Sequence, residues 1–556
     1  MSYVPISVRE AMEKLNVPNG GWYLPQVQRQ YVWGARYESE TYICLLLDSL
    51  LQGYPVGGLV LWETSKPIAH RKFIDDYAPG QFAKQVDSGR WGAHKYLVYD
   101  GQQRLQTLFS VLYHTFNGRV LHFDLLFDRQ TAESDETGFL FRDKGAPEDA
   151  RYLRMTAVAS MSCTPREKSA LESRIVKQLA LDEENELLVK SNIVALWDTF
   201  VATNVKSLAF FPVKTDNEEE VNEVFRRLNT GGIALTQVEL VLSDVKAKYP
   251  DYEEKLWEVS EALRKRSNGV KFLSADVLQF FHLLIKGTTR IDQKRVNIAD
   301  IDEFQSALDK DKDALIEVFE GYLWGLFKIN DASLVPRWLA VLPIACYLTW
   351  LKRAGKKWKI KQLTDGNIGN IHRYFILSQF CDWNTQTMVN SFSRLAKEAA
   401  EKGDAFPLEE IRGFAVQKNR SDVLHYDQFL FLPKLATKIL MPGRTYIFHE
   451  DKTEVDHIFP QNPAGADEDY KRLVDVLWNL QPMPTGVNNY KRARLPQEFF
   501  LSVDGSKYWQ DYDFIPDPQS PIWSDVRHFI RYRHRLMRKA LLKRYGLKLS
   551  RPRKNA

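Results

Sequence analysis

The feature that most constrains this chain is a change of hydrophobic period at residue 100. Tyr96–Tyr99 (YLVY) is a short run of strand length, and Asp100-Gly101 interrupts it. From Gln103 to Phe116 the apolar residues recur every three or four positions, the pattern of a helix packed on one face. A strand that passes through Gly into a helix offers free backbone N–H groups and the positive end of the helix dipole. Such a turn is a natural phosphate site.

Similar elements flank it. Leu59–Glu63 reads as a strand, His122–Phe127 alternates apolar with polar residues, and the leucine-rich stretch Tyr37–Leu51 reads as a helix closed by Gly53. A second set follows: strand Leu208–Val213, helix Glu218–Leu228, the break Gly231-Gly232, and a helix from Thr236 whose Glu239 completes a capping box. From about residue 250 to 440 the pattern is helical, and beyond Pro442-Gly443 it changes to short strands, Pro-rich turns and a basic helix. The expectation is an α+β multidomain chain: an α/β region over 1–250, a helical region over 251–435, and a C-terminal region over 436–556.

Composition excludes several classes. With 44% apolar and 26% charged residues the chain is neither collagen-like nor wholly disordered. Cys44, Cys163, Cys346 and Cys381 lie far apart with no CxxC, which argues against a thiolate zinc site or a disulfide framework and for reduced core thiols. The longest uncharged apolar stretch, Trp338–Leu351, contains Pro343 and is too short to span a bilayer, so it reads as a buried helix. The N-terminus lacks a signal-peptide pattern, and a cytoplasmic protein without membrane contact is expected.

The net charge of +5 is unevenly placed. Residues 527–556 hold twelve Lys or Arg and no Asp or Glu, so the preceding 526 residues sum to −7. A basic end on a mildly acidic body suggests a local polyanion contact.

Beside that end lies Glu454-Val-Asp456-His457-Ile-Phe-Pro-Gln461, followed by Leu477-Trp-Asn479-Leu-Gln and Gly486-Val-Asn488-Asn489-Tyr-Lys491. Phosphodiester cleavage needs a base for water and a cation for the charge that grows on phosphate. A neutral His takes a proton near physiological pH, while carboxylate and amide oxygens suit Mg²⁺ or Mn²⁺. This order resembles the His-Asn-His (HNH) nuclease motif, which folds as a ββα-metal unit. The resemblance implies strand one at Asp456-His457, strand two near Asn479 and a helix from about Asn488. His457 is then the general base, Asp456 and Asn488 (or Asn489) are metal ligands, and Asn479 holds the loop carrying His457. Lys491 or Arg492 would contact phosphate.

Two N-terminal motifs accompany this set: Gln26-Val-Gln28-Arg29-Gln-Tyr31-Val-Trp33, and Asp100-Gly101-Gln102-Gln103-Arg104. Arg29 and Arg104 could grip phosphate bidentately, and Asp100 could hold a metal or orient water. With Leu50–Glu63, Tyr96–Leu108 and Phe225–Thr236, they resemble the ParB/sulfiredoxin-like N-terminal domain of the GmrSD-type, modification-dependent (type IV) restriction endonucleases. That resemblance implies NTP binding and hydrolysis, with GTP or ATP, at Gln28, Arg29, Asp100, Gly101, Gln102, Gln103 and Arg104.

The final stretch Trp523–Tyr545 interleaves basic residues with Phe529, Ile530, Leu536, Met537, Leu541 and Leu542 at helical spacing. One face would pack on the nuclease unit, while Arg531, Arg535 and Arg538 would face double-stranded DNA. His449, His94 and His114 read as structural, and the aromatic residues of Trp338–Trp350 as core. The expected protein is an NTP-regulated, metal-dependent endonuclease of modified phage DNA in bacterial anti-phage defence, acting alone, as a homodimer or with defence partners. The alternatives are an NTP-dependent DNA-binding regulator, or a defence-complex subunit, with a degenerate nuclease unit.

Overall fold

The computed structural model describes residues 3–26, 31, 39–86, 94–133, 136–215, 217, 220, 221, 224, 236–265, 272–329, 331, 334–441, 453–463 and 465–550. They fall into two compact units, Met1–Glu254 and Lys255–Ala556.

In the first unit, short apolar strands build a mixed seven-stranded sheet. Its spatial order is Val4–Ile6, Leu208–Lys214, Leu59–Thr64, Lys95–Asp100, Trp22–Pro25, His70–Arg71 and Gln85–Val86. The two central strands are apolar on both faces because the sheet is covered on both sides. Leu59, Leu61 and Val98 enter one core, and Val60, Trp62, Leu97 and Tyr99 enter another, as the two-residue alternation of a strand requires. The helix Gln102–Tyr113 follows the fourth strand and buries Leu105, Leu108, Val111 and Leu112 in the larger core. A separate three-stranded sheet joins Phe139–Asp143, Arg119–Asp124 and Tyr152–Arg154.

The leucine-rich helix runs Ser39–Leu51, and Gly53 adopts φ +70°, the left-handed conformation that stops it. Thr236 and Glu239 form the expected reciprocal cap at the start of the helix Gln237–Lys248. The strand expected at His122–Phe127 begins and ends earlier, because the chain turns at Asp124 and its carboxylate accepts the Leu126 N–H. The break Gly231-Gly232 and most of Glu218–Leu228 lie outside the described residues.

The second unit is a helical array followed by a small α+β region. Trp338–Val341 is a 3-10 turn that leads into the helix Leu342–Arg353, whose Leu342, Ile344, Ala345 and Leu348 are fully buried. Trp350 departs from the core expectation: half-buried, it carries the Lys397 ammonium 4.0 Å from its ring centroid. After this array, Thr453–His457 pairs antiparallel with Leu480–Pro484, and the helix Thr485–Lys491 follows at once. Ile458, Phe459, Val474, Met483, Phe499, Phe500, Tyr512, Trp523 and Phe529 form the local core. Near the end of the chain, Leu549–Ser550 pairs with Leu424–His425 of the same unit.

Three cysteines are buried free thiols as expected, but Cys163 is exposed. Among the described residues no helix is long and apolar enough to cross a membrane.

Candidate functional site

Two places gather the sequence motifs, one in each unit. In the first, Gly101 caps the helix Gln102–Tyr113 with φ +87°, and a Cβ at this position would collide with Leu59. Only Gly fits. The strand before it carries a β-bulge: Val60 pairs with Asp100 but Leu61 pairs with Val98, which re-aims the end of the strand. Asp100 is left exposed, whereas Gln102 and Gln103 are buried.

Arg104 differs from the sequence expectation. Its guanidinium donates to the carbonyls of Val56 (2.6 Å) and Gly58 (2.9 Å) and reaches Asp100 at 3.3 Å. It therefore latches the Val56–Gly58 loop, and in this arrangement its donors meet carbonyls instead of an open phosphate site. The exposed Asp100 carboxylate is what the turn presents outward, while Gly101, Gln102 and Gln103 behind it are buried. Gln28 and Arg29 lie outside the described residues, but Tyr31 of the same motif is described. The Tyr31 hydroxyl hydrogen-bonds Thr107 at 2.6 Å, so this residue of the first motif rests against the helix that starts within the second.

The C-terminal site is a strand–loop–strand–helix unit. On the first strand, Glu454 and Asp456 share one face and His457 lies on the other. Asp456 is 5% exposed; Lys491 Nζ donates to its Oδ1 (3.2 Å) and the Tyr512 hydroxyl to its Oδ2 (3.1 Å). Lys491 is wholly buried and also donates to the His457 carbonyl at 2.7 Å. The expectation that Lys491 touches DNA phosphate is corrected: its ammonium is enclosed by the hairpin and unavailable to a ligand outside. Burial pushes the Asp456 carboxyl up and the Lys491 ammonium down, each partly offset by the other's charge.

Asn479 is fully buried and closes the loop between the strands. Its Oδ1 accepts the Phe459 N–H (2.9 Å), and its Nδ2 donates to the carbonyls of Phe459 (2.8 Å) and Val474 (2.9 Å). The loop after His457 and the end of the helix Glu468–Val474 are thereby fastened to one side chain. His457 Nε2 lies 3.2 Å from Asp475 Oδ1. The helix starts at Thr485, three residues before the expected Asn488. Asn488 Nδ2 donates to Glu454 Oε2 at 2.8 Å, while Asn489 is exposed. Asn488, Glu454 and Asp456 therefore lie along the same strand–helix seam.

In the helix Val526–Tyr545, Arg531, Arg535 and Arg538 are exposed along one face without an ion-pair partner among the described residues. Arg492 is exposed too, at φ +51°. Arg533 points the opposite way. Fully buried, it donates to the carbonyls of Trp478 (2.9 Å), Leu480 (2.7 Å) and Asp513 (3.0 Å) and to Gln481 Oε1 (2.7 Å). The basic helix is thus fastened to the second strand by one of its own cations. His449 lies outside the described residues.

Sequence reasoning missed Arg533, Tyr512, Asp475 and the pairing of Glu454 with Asn488. Glu454 alone left a signal, since it stands two residues before Asp456 and therefore on the same strand face.

The first unit is a mixed-sheet α/β domain with a Gly-capped strand–helix turn, and the second carries a ββα unit beside a basic helix. Residues 12–246 match the family model of the GmrSD restriction endonuclease N-terminal domain, so this stretch is similar to a GmrSD-type N-terminal region. The match points to a restriction-endonuclease type of defence protein. No curated protein matches the chain.

Proposed function

We propose that the chain is a metal-dependent DNA endonuclease whose chemistry lies in the C-terminal ββα unit, with nucleotide bound at the N-terminal Asp-Gly turn as its regulator. The observation that carries the reading is the buried Asn479, which locks the loop bearing His457 while Asp456 and Asn488 line the adjoining seam. These are the roles that the HNH resemblance implies.

The donor set suits a hard cation. Asp456, Asn488 and Glu454 offer oxygen only, and Mg²⁺ or Mn²⁺ is held by one or two carboxylates together with water and substrate phosphate. Each Asp456 oxygen accepts one hydrogen bond and keeps a second lone pair. Among the described residues no three His, Cys, Asp or Glu cluster as a metal cage. Asp456 and Asn488, with Glu454 beside Asn488, would hold the ion, which supplies positive charge for the phosphate oxygens.

The protein's own part is positional. His457 accepts the proton of the attacking water, Asn479 keeps its loop in place, and Lys491 and Tyr512 fix the Asp456 carboxylate. Arg531, Arg535, Arg538 and Arg492 are free to meet the phosphates of double-stranded DNA. At the other end, GTP or ATP would meet the Asp100-Gly101 turn, where the family resemblance implies roles for Gln28, Arg29, Gln102 and Gln103 and where Arg104 holds the neighbouring loop. The substrate is modified phage DNA, in keeping with the GmrSD-type N-terminal region.

Nicking of modified and unmodified phage DNA by the full chain, in Mg²⁺ or Mn²⁺ and with or without each NTP, tests this. His457→Ala should abolish cleavage while DNA binding persists. Undiminished cleavage by that variant would remove His457 from the chemistry.

A further inference from the structure

We infer that Asp475 is the positioning residue for His457, an inference that rests on the nuclease reading above. Asp475 follows Val474, the last residue of the helix Glu468–Val474, and its carboxylate oxygen stands 3.2 Å from His457 Nε2. The two residues are 18 apart in sequence, and a single buried side chain sets their separation. Asn479 hydrogen-bonds both N–H and C=O of Phe459, two residues after His457, and the C=O of Val474, one residue before Asp475. The imidazole and the carboxylate are therefore pinned at both ends of their connection.

The chemistry follows from the tautomer. A neutral imidazole has one donor and one acceptor nitrogen, and the hydrogen bond made by one decides the role of the other. With the proton on Nε2 donated to Asp475, the Nδ1 lone pair is left as the base. In the step this permits, a water O–H bond breaks and its proton passes to Nδ1, while the water oxygen forms a new bond to phosphorus. The bridging P–O bond breaks, and the departing sugar oxygen takes a proton from solvent. The imidazolium formed meanwhile lies against the Asp475 carboxylate, which disperses its charge.

The His457 side chain is 24% exposed, so the ring is reachable from solvent at one edge and held at the other. Asp475 is itself 65% exposed and has no other ion-pair partner among the described residues.

The test compares plasmid nicking in Mg²⁺ by full-length wild type, Asp475→Ala, Asp475→Glu, His457→Ala and the His457→Ala/Asp475→Ala double variant. DNA affinity is measured alongside by fluorescence anisotropy. Asp475→Ala should lower kcat by about 10–100-fold, the usual cost of removing a residue that orients a catalytic group, with KM for DNA unchanged. Asp475→Glu should recover part of the loss, and in the His457→Ala background Asp475→Ala should have no further effect. An Asp475→Ala enzyme at wild-type rate overturns the inference, as does a loss that appears in DNA affinity and KM with kcat unchanged. If His457→Ala nicks like wild type, the nuclease reading itself falls and takes the inference with it. A dead His457→Ala beside an unaffected Asp475→Ala sinks the positioning role alone.

Discussion

Replacing Arg533 by Met would separate the two jobs of the basic helix. Met keeps much of the bulk of the side-chain stem and removes every N–H. Four acceptors are then left without a charged donor: the carbonyls of Trp478, Leu480 and Asp513, and Gln481 Oε1. A hydrogen bond to a charged group contributes about 1.5–3 kcal/mol. Burying a guanidinium itself costs several kcal/mol, so the four bonds do not simply add. The balance resembles breaking a buried ionic contact from one side, about 3–5 kcal/mol. At an m-value of about 3 kcal/mol/M this moves the urea midpoint down by about 1–1.7 M. Urea unfolding of the full chain, followed by circular dichroism, reads that shift in the transition of the second unit. Arg531→Met, exposed on the same helix, should stay within about 0.5 kcal/mol of wild type. If Arg533→Met unfolded within about 0.2 M of wild type, the guanidinium would not be what joins helix to hairpin.

Three further outcomes are expected. Changing Arg531, Arg535 and Arg538 together to Gln should lower the slope of log affinity against log salt for duplex DNA by about 3, near 0.9 for each phosphate that no longer meets a cation; an unchanged slope would remove this face from the DNA interface. Gly101→Ala should destabilise the first unit by about 2 kcal/mol, because φ +87° strains a side-chain residue and Leu59 occupies the space; thermal melts of the two forms compare directly. Burial of His372 against Tyr322, Phe327 and Tyr545 holds its pKa down to about 4. The unfolded chain takes up that proton first as pH falls below about 6.5, so stability is full above that pH. It should drop by about 3 kcal/mol on approaching pH 4. His372→Gln should flatten this slope in urea titrations at pH 7 and pH 4.5, and an equal slope in both proteins would contradict it.

The elements themselves were largely legible. The short apolar runs within Leu59–Thr64 and Lys95–Asp100, the leucine spacing of Ser39–Leu51 and the cap at Thr236 are patterns confined to a few neighbouring residues, and backbone geometry obeys them directly. The candidate hairpin was legible for the same reason: Asp456, His457, Asn479 and Asn488 bracket two short strands and a helix. What escaped was which side chain answers which. Lys491 reads as an ordinary helix cation, and nothing in its neighbours shows that Asp456 waits inside the hairpin. Arg533 sits among eleven other basic residues between 527 and 556 and is indistinguishable from them until the helix is rotated onto its core.

The sequence by itself determined the type and place of the central strands and longer helices, the Gly at position 101, and the presence of an Asp-His hairpin motif beside a basic helix in one stretch. Those follow from periodicity and residue chemistry, which act over a few neighbouring positions. Only the tertiary structure decided that Arg104 latches a loop, that Lys491 and Arg533 are interior, that Asn488 meets Glu454 and that His457 meets Asp475. Each of these pairs a side chain with a group distant in sequence or turns one cation inward among many. Burial and hydrogen-bond satisfaction make that choice once the chain has closed around its cores.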